Sequence, residues 1–315
     1  MEDLKISVVV PTFNGRELVR RTLTTLFAQT VPMTDFEVIA VVDGSSDGTA
    51  EALRDLSSPC SFRVIEQENR GPAGARNTGW RAARAELVLF IDGDMLCDPG
   101  LVAAHLRAHV GEDRLVAFGA LFLSEDSPRS LAGECFNREI GAIHLAHQKS
   151  PATVWKETDC VFSNSSIRRA ILEESGGFDE RFRMREDLEL GLRLFQNGVR
   201  AEYIPEAKAF QYYAKSSADL LREAEVFGRA DALMAKKHPE ALVPGQFKKL
   251  EEEGGWKYRA MRVAARTPEL WETALIPACW VGEKFISNGT LRGMGARALQ
   301  IRRRLRWLHA GLKDR

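Results

Sequence analysis

Four short apolar segments alternate with helical segments in about the first ninety residues, and this alternation limits the possible folds more than any other feature. The apolar segments lie at residues 6–10, 36–42, 62–65 and 87–91, and we predict a strand at each. Between them, apolar residues recur at the three- and four-residue spacing of a helix. Strands that are joined by helices pair in parallel through right-handed crossovers. The sequence therefore predicts an α/β fold with a mostly parallel central sheet flanked by helices.

The pattern changes in the rest of the chain. We predict strands at 116–121 and near 160–164, and helices at 131–146, 168–174 and 187–196. After Tyr213 the pattern is helical almost to the end, and proline and glycine predict breaks at Pro239, Pro244, Gly254-Gly255, Pro268, Pro277 and Gly289. A length of 315 residues fits one α/β domain, placed at 1–215, and an appended helical region at 216–315.

Charge and composition argue against several classes of protein. The 44 Lys and Arg residues balance 44 Asp and Glu residues, so no overall positive field attracts nucleic acid, and we predict no such partner. The five cysteines are widely spaced and form no C-x-x-C pair, which is typical of reduced thiols in the cytoplasm. No apolar stretch reaches the ~20 residues of a membrane span. We predict a cytoplasmic protein, either soluble or peripheral on the inner face of the membrane.

Asp92-Gly93-Asp94 follows the apolar segment at 87–91. Ligands of open α/β sheets bind outside the carboxyl ends of the strands, so both carboxylates are expected at a ligand site. With only a glycine between them, they can share a hard cation that also binds diphosphate oxygens, and Mn²⁺ or Mg²⁺ fits best. Taken alone, the three residues are equally compatible with an ordinary strand-to-helix turn.

Two other predicted strands end in polar loops, Pro11-Thr12-Phe13-Asn14 and Asp43-Gly44-Ser45, which a parallel sheet places along the same edge. Asp47 with Gly48-Thr49 supplies a helix cap, which leaves Asp43 available to a ligand. The Asp43 carboxylate can accept the imide N–H of uracil or thymine. Arg76, in the small-residue segment 71–77, is a candidate partner for the base or the diphosphate. No G-x-G-x-x-G follows the first strand, which argues against a dinucleotide cofactor.

Taken in order, these motifs resemble those of family 2 glycosyltransferases, which have the GT-A fold. The resemblance covers roughly residues 4–230. The matching segments are VVVPTFN at 8–14, VVDGSSDGT at 41–49, GARNTG at 74–79, FIDGD at 90–94, GGFDERF at 176–182 and REDLEL at 185–190.

The resemblance implies an enzyme that transfers a hexose, with inversion, from a nucleoside diphosphate sugar of the UDP or dTDP type to an acceptor hydroxyl. It places the catalytic base at Asp187, next to Glu186. Without the resemblance, an acidic helix start favoured by the helix dipole is the simpler explanation of these two residues. The metal is placed on Asp94 and Asp92, and the predicted donor-binding residues are Pro11, Thr12, Asn14, Asp43, Arg76, Asp92 and Gly93.

Two departures from the family pattern affect these predictions. Many relatives carry a His about two dozen residues after the acidic pair, where this chain has Gln211. We predict either Gln211 or water as the third metal ligand, with weaker binding than a His would give. The Q-x-x-R-W stretch of processive members is missing after the acidic pair, which favours transfer of a single sugar.

The last segment, 291–315, is basic and amphipathic. It carries eight Lys or Arg residues against one Asp, and its apolar stripe consists of Met294, Ala298, Ile301, Leu305, Leu308 and Leu312. Such a helix lies either on an anionic membrane surface, where a lipid-linked acceptor would be found, or against its own domain or a partner subunit. A saccharide acceptor and a homo-oligomer are therefore also among the expected partners.

Two other functions stay open at this point. One is a sugar nucleotidyltransferase, although residues 11–15 replace the Gly-rich first loop of such enzymes. The other is a non-catalytic protein that binds a nucleotide sugar at a membrane surface, which the missing His would explain.

Overall fold

The computed structural model describes residues 4–149, 155–241 and 263–314. They form a mixed α/β structure around a sheet of eight strands in the order β3-β2-β1-β4-β7-β6-β8-β5. The strands are β1 (Ile6–Thr12), β2 (Phe36–Asp43), β3 (Ser61–Gln67), β4 (Leu87–Ile91), β5 (Met95–Cys97), β6 (Leu115–Leu123), β7 (Asn164–Arg168) and β8 (Arg200–Gln211). The helices are α1 (Arg16–Leu26), α2 (Thr49–Arg54), α3 (Gly71–Ala82), α4 (Leu101–Ala108), α5 (Leu131–Lys149), α6 (Arg169–Ser175), α7 (Glu186–Gln196), α8 (Ser217–Lys237), α9 (Pro268–Lys284) and α10 (Gly289–Lys313).

The first half of the sheet, β3-β2-β1-β4, is parallel throughout, as predicted. Every residue of β2 and β4 is buried. In β1, Val8 and Val10 belong to one hydrophobic core and Val9 belongs to a second. Since alternate side chains point to opposite faces, the sheet is covered on both sides, which explains why these strands are mostly apolar.

The second half of the sheet is mixed, because β7 runs antiparallel to both β4 and β6. The strand predicted near 160–164 is wrong in position, since β7 begins at Asn164 and is polar yet buried. The Asn164 amide donates to the carbonyls of Ala120 and Ala207, and Ser166 Oγ lies 2.8 Å from His105 Nδ1. A polar segment can form an internal strand here because its neighbours satisfy the side chains of Asn164 and Ser166.

Strands β5 and β8 were not predicted. β8 contains Pro205, and its register against β6 shifts between Gly119 and Ala120, where residues 205–207 form a bulge. The bulge hides the two-residue alternation by which a strand is found in sequence. β8 ends at Gln211, beside β5 and the Asp92-Gly93-Asp94 turn.

The chain divides into two compact units. The first comprises Met1–Glu125 and Ile140–Tyr212 and contains the whole sheet. The second comprises Asp126–Glu139 and Tyr213–Arg315 and contains α8, α9 and α10, so the helical C-terminal region is confirmed. The domain boundary at residue 215 stays a prediction.

One predicted helix break is wrong. Pro277 lies inside α9, on its exposed side, where water can hydrate the carbonyl that loses its hydrogen bond. The breaks predicted at Pro244 and Gly254-Gly255 lie outside the described residues.

Helix α10 packs inside the second unit. Ala298, Leu305 and Leu308 of the predicted apolar stripe are buried, whereas Met294 and Ile301 are exposed. Four of its arginines pair with acidic side chains of the same unit: Arg292 with Glu134, Arg302 with Glu272, Arg303 with Glu139, and Arg306 with Glu225 and Glu272. These contacts favour the alternative in which the basic helix packs on its own domain, and membrane contact stays a prediction. Within the described ranges, no helix is long and apolar enough to cross a membrane.

Candidate active site

The carboxyl ends of β1, β2 and β4 meet at one edge of the first unit, as the parallel pairing requires. At this edge Gly93 lies against the end of β1. A Cβ at position 93 would lie 3.0 Å from the Pro11 carbonyl oxygen and 3.3 Å from Thr12 Cβ. The contact is tighter than most side chains tolerate, so a glycine here brings the loops after β1 and β4 together.

The loops after β1 and β2 are joined by hydrogen bonds. The side-chain oxygen of Asn14, a residue at φ 47°, accepts a hydrogen bond from the Ser46 backbone amide at 2.8 Å. The backbone amide of Asn14 donates to Ser45 Oγ at 2.9 Å. Asp47 accepts a hydrogen bond from the backbone amide of Thr49, the first residue of α2, whose N-cap residue is Gly48. Phe13, which was not among the predicted site residues, is 55% exposed at this edge.

Asp43 is almost fully buried at the end of β2, with 3% of its surface exposed. Its Oδ1 accepts hydrogen bonds from the Gln67 side chain at 2.6 Å and the Arg70 amide at 2.8 Å. Its Oδ2 accepts one from the Gly71 amide at 2.8 Å. Asp43 therefore holds the start of α3 against the end of β2.

Arg76 of α3 joins two predicted motifs. Its buried guanidinium donates to Asp92 Oδ1 at 2.8 Å and to Glu186 Oε1 at 2.7 Å. Burial alone would lower the pKa of Arg76, but Asp92 and Glu186 outweigh it and raise that pKa. The guanidinium also lies 5.6 Å from the centre of the Phe178 ring. The structure thus brings the turn after β4 and the acidic start of α7 together through one side chain.

Both carboxylates of the Asp92-Gly93-Asp94 turn accept hydrogen bonds, one from the residue just before β7 and one from the last residue of β8. Asp92 Oδ2 accepts a hydrogen bond from Ser163 Oγ at 2.7 Å, a contact that was not predicted. Asp94 Oδ2 accepts one from the Gln211 side-chain amide at 2.8 Å. The structure therefore places Gln211 beside Asp94, and only the amide oxygen of Gln211 has the lone pairs of a metal ligand. The described residues contain no group of three or more His, Cys, Asp or Glu side chains that could hold a metal ion.

Three carboxylates lie in the first turn of α7, in different surroundings. Glu189 is fully buried and pairs with Arg193 at 2.6 Å, and Glu186 is held by Arg76. Partial burial and the nearby charge of Glu186 raise the pKa of Asp187 to about 7, against the opposing effect of Arg76. A pKa near 7 suits a general base at neutral pH, so Asp187 has the chemistry for that role.

Asn77 anchors the segment that leads to α7, a role that was not predicted. Its amide nitrogen donates to the Phe178 carbonyl at 2.8 Å and to Glu180 at 3.0 Å, and its oxygen accepts from the Phe178 amide and the Trp80 indole. Gly177, at φ 72°, leaves no space for a side chain next to Asn77. The sequence signal was the position of Asn77 directly after Arg76 in the motif at 74–79.

Comparisons with known proteins place these observations in a family. The family model described as "Glycosyl transferase family 2" matches residues 7–176, which is more than half of the chain. Validoxylamine A glucosyltransferase from Streptomyces hygroscopicus subsp. jinggangensis is 32% identical over 222 residues, covering 62% of this chain and 52% of that protein. The uncharacterized glycosyltransferase YfnE from Bacillus subtilis is 40% identical over 244 residues, covering 62% of each. The chain thus spans less than two thirds of the length of these relatives.

Solved structures support the fold. The mannosyltransferase PcManGT from Pyrobaculum calidifontis, in complex with GDP-Man and Mn²⁺, superposes with a TM-score of 0.65 at 19% identity, covering 98% of this chain and 86% of that one. A structure of S. aureus TarS in complex with UDP gives a TM-score of 0.53 at 18% identity, covering 99% and 92%. The predicted GT-A fold is confirmed by these likenesses. The family model matches residues 7–176, which include β2 to β7 and the motifs of the candidate site up to the start of the Gly-Gly-Phe segment, so the chain belongs to glycosyl transferase family 2.

Proposed function

We propose that this chain is an inverting glycosyltransferase that moves one sugar from a UDP or dTDP sugar to an acceptor hydroxyl. Family membership and relatives that are named glucosyltransferase and glycosyltransferase support the activity. The observation that carries the proposal is the bridge from Arg76 to Asp92 and Glu186. It sets the acid-rich start of α7 beside the sheet edge where a nucleotide donor would bind.

The nucleotide part of the donor fits the edge formed by β1 and β2. Asp43 Oδ2 accepts one hydrogen bond in the structure, so a second lone pair can accept the imide N–H of uracil or thymine. Phe13 offers an exposed aromatic surface on which a base can stack. Pro11, Thr12 and Asn14 form the loop that supports this surface. A bound UDP in TarS supports a uridine donor by analogy, whereas the GDP-Man in PcManGT shows that the fold also accepts guanine.

The oxygen ligands available at the turn after β4 fit a hard divalent cation. Asp92 and Asp94 provide carboxylate oxygens, and diphosphate oxygens, water and the Gln211 oxygen would complete the shell, as is usual for Mg²⁺. When bound, Mn²⁺ or Mg²⁺ would stabilise the negative charge that collects on the leaving diphosphate. Gly93 keeps this turn against β1, so that the same edge can hold both the base and the diphosphate.

The acidic pair provides the proton transfer. Asp187 accepts the proton of the acceptor hydroxyl while the hydroxyl oxygen bonds to the anomeric carbon. The bond from that carbon to the diphosphate breaks on the opposite face, so the configuration inverts and a nucleoside diphosphate leaves. Glu186 stays paired with Arg76, and its negative charge keeps the proton affinity of Asp187 high. The acceptor is a saccharide or a lipid-linked sugar in this proposal.

A donor panel tests the proposal. UDP, dTDP and GDP sugars are screened for thermal stabilisation with Mn²⁺, Mg²⁺ or EDTA, and the best donor is then incubated with candidate acceptors. We expect metal-dependent stabilisation by a UDP or dTDP sugar and release of a nucleoside diphosphate. Asp187→Asn should bind the donor but not turn it over, whereas Asp55→Asn, an exposed control at the end of α2, should do both. Formation of a nucleotide sugar and diphosphate from a sugar phosphate and a nucleoside triphosphate, supplied in a separate incubation, would instead show a nucleotidyltransferase.

A further inference from the structure

Helix α9 presents a second apolar side, opposite the one that it buries in the second unit. The buried side includes Glu272, Cys279 and Gly282. The other side consists of seven exposed residues at helical spacing, which we call the outer face of α9: Glu269, Leu270, Thr273, Ile276, Pro277, Trp280 and Lys284. Leu270, Ile276 and Trp280 are 73%, 47% and 57% exposed. Large apolar side chains aligned in this way mark an interaction surface.

The two charged residues of the outer face lie at its two ends, and the exposed Glu283 next to Lys284 accepts a hydrogen bond from Ser217 of the same unit. Glu269 is in the first turn of α9 and Lys284 is in the last. Within the part of the chain that the structure describes, neither forms an ion pair, and Lys284 Nζ lies 4.7 Å from the centre of the Trp280 ring. The two charges are fifteen positions apart, which is ~22 Å along a helix.

The outer face of α9 is complementary to a second copy of itself that runs in the opposite direction. When two copies of α9 pack antiparallel about a two-fold axis between Ile276 and Pro277, Glu269 lies opposite the partner's Lys284 at both ends. In the same register, Thr273 lies opposite the partner's Trp280, and Ile276 lies opposite the partner's Pro277. An interface in which each residue pair occurs twice is the usual form of a symmetric dimer.

We propose that the outer face of α9 binds the same face of a second copy of this chain and forms a two-fold dimer. The charge pattern selects this partner, because an apolar centre with an acid at one end and a base at the other matches an antiparallel copy. An anionic lipid surface is a poorer match, since the outer face carries no excess of positive charge. The proposal does not depend on the catalytic activity.

A single helix contact is small for a protein interface, so the dimer should dissociate in the micromolar range. Trp280, near the centre of the contact, is the residue type that most often dominates binding energy. Loss of its side chain should therefore abolish measurable association, while the fold of the second unit, which buries the other side of α9, is retained.

Sedimentation equilibrium of the full chain over about 1–200 μM tests the proposal, with circular dichroism to confirm folding. We expect a concentration-dependent dimer. Glu269→Lys and Lys284→Glu each place like charges opposite one another at both ends, and each should weaken the dimer at least about tenfold. The double variant E269K/K284E should restore the wild-type constant to within about threefold. Arg297→Glu, the same charge change on the exposed side of α10, should leave it unchanged.

Three results would overturn the proposal. The first is a wild-type protein that stays monomeric throughout the range. The second is a double variant that is no better than the single ones, or an Arg297→Glu effect as large as that of Lys284→Glu. The third is a monomer that pellets with phosphatidylglycerol vesicles in a Trp280-dependent manner, which would show that the outer face binds lipid.

Discussion

Asp187→Asn should make the protein both less active and more stable above neutral pH. The folded protein raises the pKa of Asp187 from its ordinary 3.8 to about 7. The folded state therefore keeps this proton up to about pH 7, whereas the unfolded chain releases it near pH 3.8. The stabilisation that the proton provides is full below pH 3.8 and is lost as the pH rises through 7.

The size of the effect follows from the two pKa values. Each pKa unit corresponds to about 1.4 kcal/mol, so the charged carboxylate lowers the free energy of unfolding by up to about 4 kcal/mol at pH 8. Asn has the shape of the protonated acid but never ionises. We expect the variant to melt several degrees above wild type at pH 8, with a much smaller difference at pH 5. Its transfer rate should fall by ~10²–10⁴, because the proton acceptor is gone.

Thermal unfolding of the donor-free protein in EDTA, at pH 5 and pH 8, measures the stability, and product formation measures the rate. Asp55→Asn is the control, since this exposed aspartate should change neither quantity. The reasoning is refuted if Asp187→Asn melts at or below the wild-type temperature at pH 8, or if the difference does not depend on pH. If Asp187→Asn transfers sugar at near wild-type rate while Glu186→Gln does not, the base is Glu186.

Three further variants examine the rest of the site. Arg76→Met removes the positive charge that lowers the pKa of Asp187. The rising limb of the pH dependence of kcat/KM should therefore move to higher pH, and a limb that does not move would contradict this. The acids left without a partner should cost about 3–5 kcal/mol of stability. Asp94→Asn should abolish the gain in donor affinity that Mn²⁺ provides, as measured by calorimetry, whereas Glu86→Gln, before the amino end of β4, should keep it. Asp43→Asn should reduce the preference for UDP over GDP at least about tenfold, since the amide offers the imide N–H a weaker acceptor; an unchanged ratio would remove Asp43 from the base site.

The parts of the fold that could be predicted are those that depend on local pattern. β1, β2 and β4 are buried on both faces, so their apolar runs and the helices between them were visible in sequence. β7 and β8 were misplaced or missed because their stability comes from distant partners. His105 and two carbonyls bind the side chains of Ser166 and Asn164 in β7, and a bulge at Pro205 interrupts β8.

The same division holds for the candidate site. Asp43, Asp92 and Asp187 could be proposed one by one, since each lies in a recognisable motif at the end of a strand or the start of a helix. The bridge from Arg76 to Asp92 and Glu186 could not, because the two acids are 94 residues apart and only the folded chain brings them to one guanidinium. The role of Asn77 was hidden for the same reason.

The strand order has a consequence for synthesis on the ribosome. β4 is bonded on one side to β1, which precedes it, and on the other to β7, which begins about seventy residues later. At roughly 5–20 residues per second, the nascent chain carries β4 with one open edge for about 4–14 seconds. Arg76 lacks its partner Glu186 for a still longer time, because Glu186 is 110 residues further along the chain. During this interval an apolar strand with unpaired amides can pair with a neighbouring chain, so the yield of folded protein should depend on translation speed and on chaperones that cover this edge.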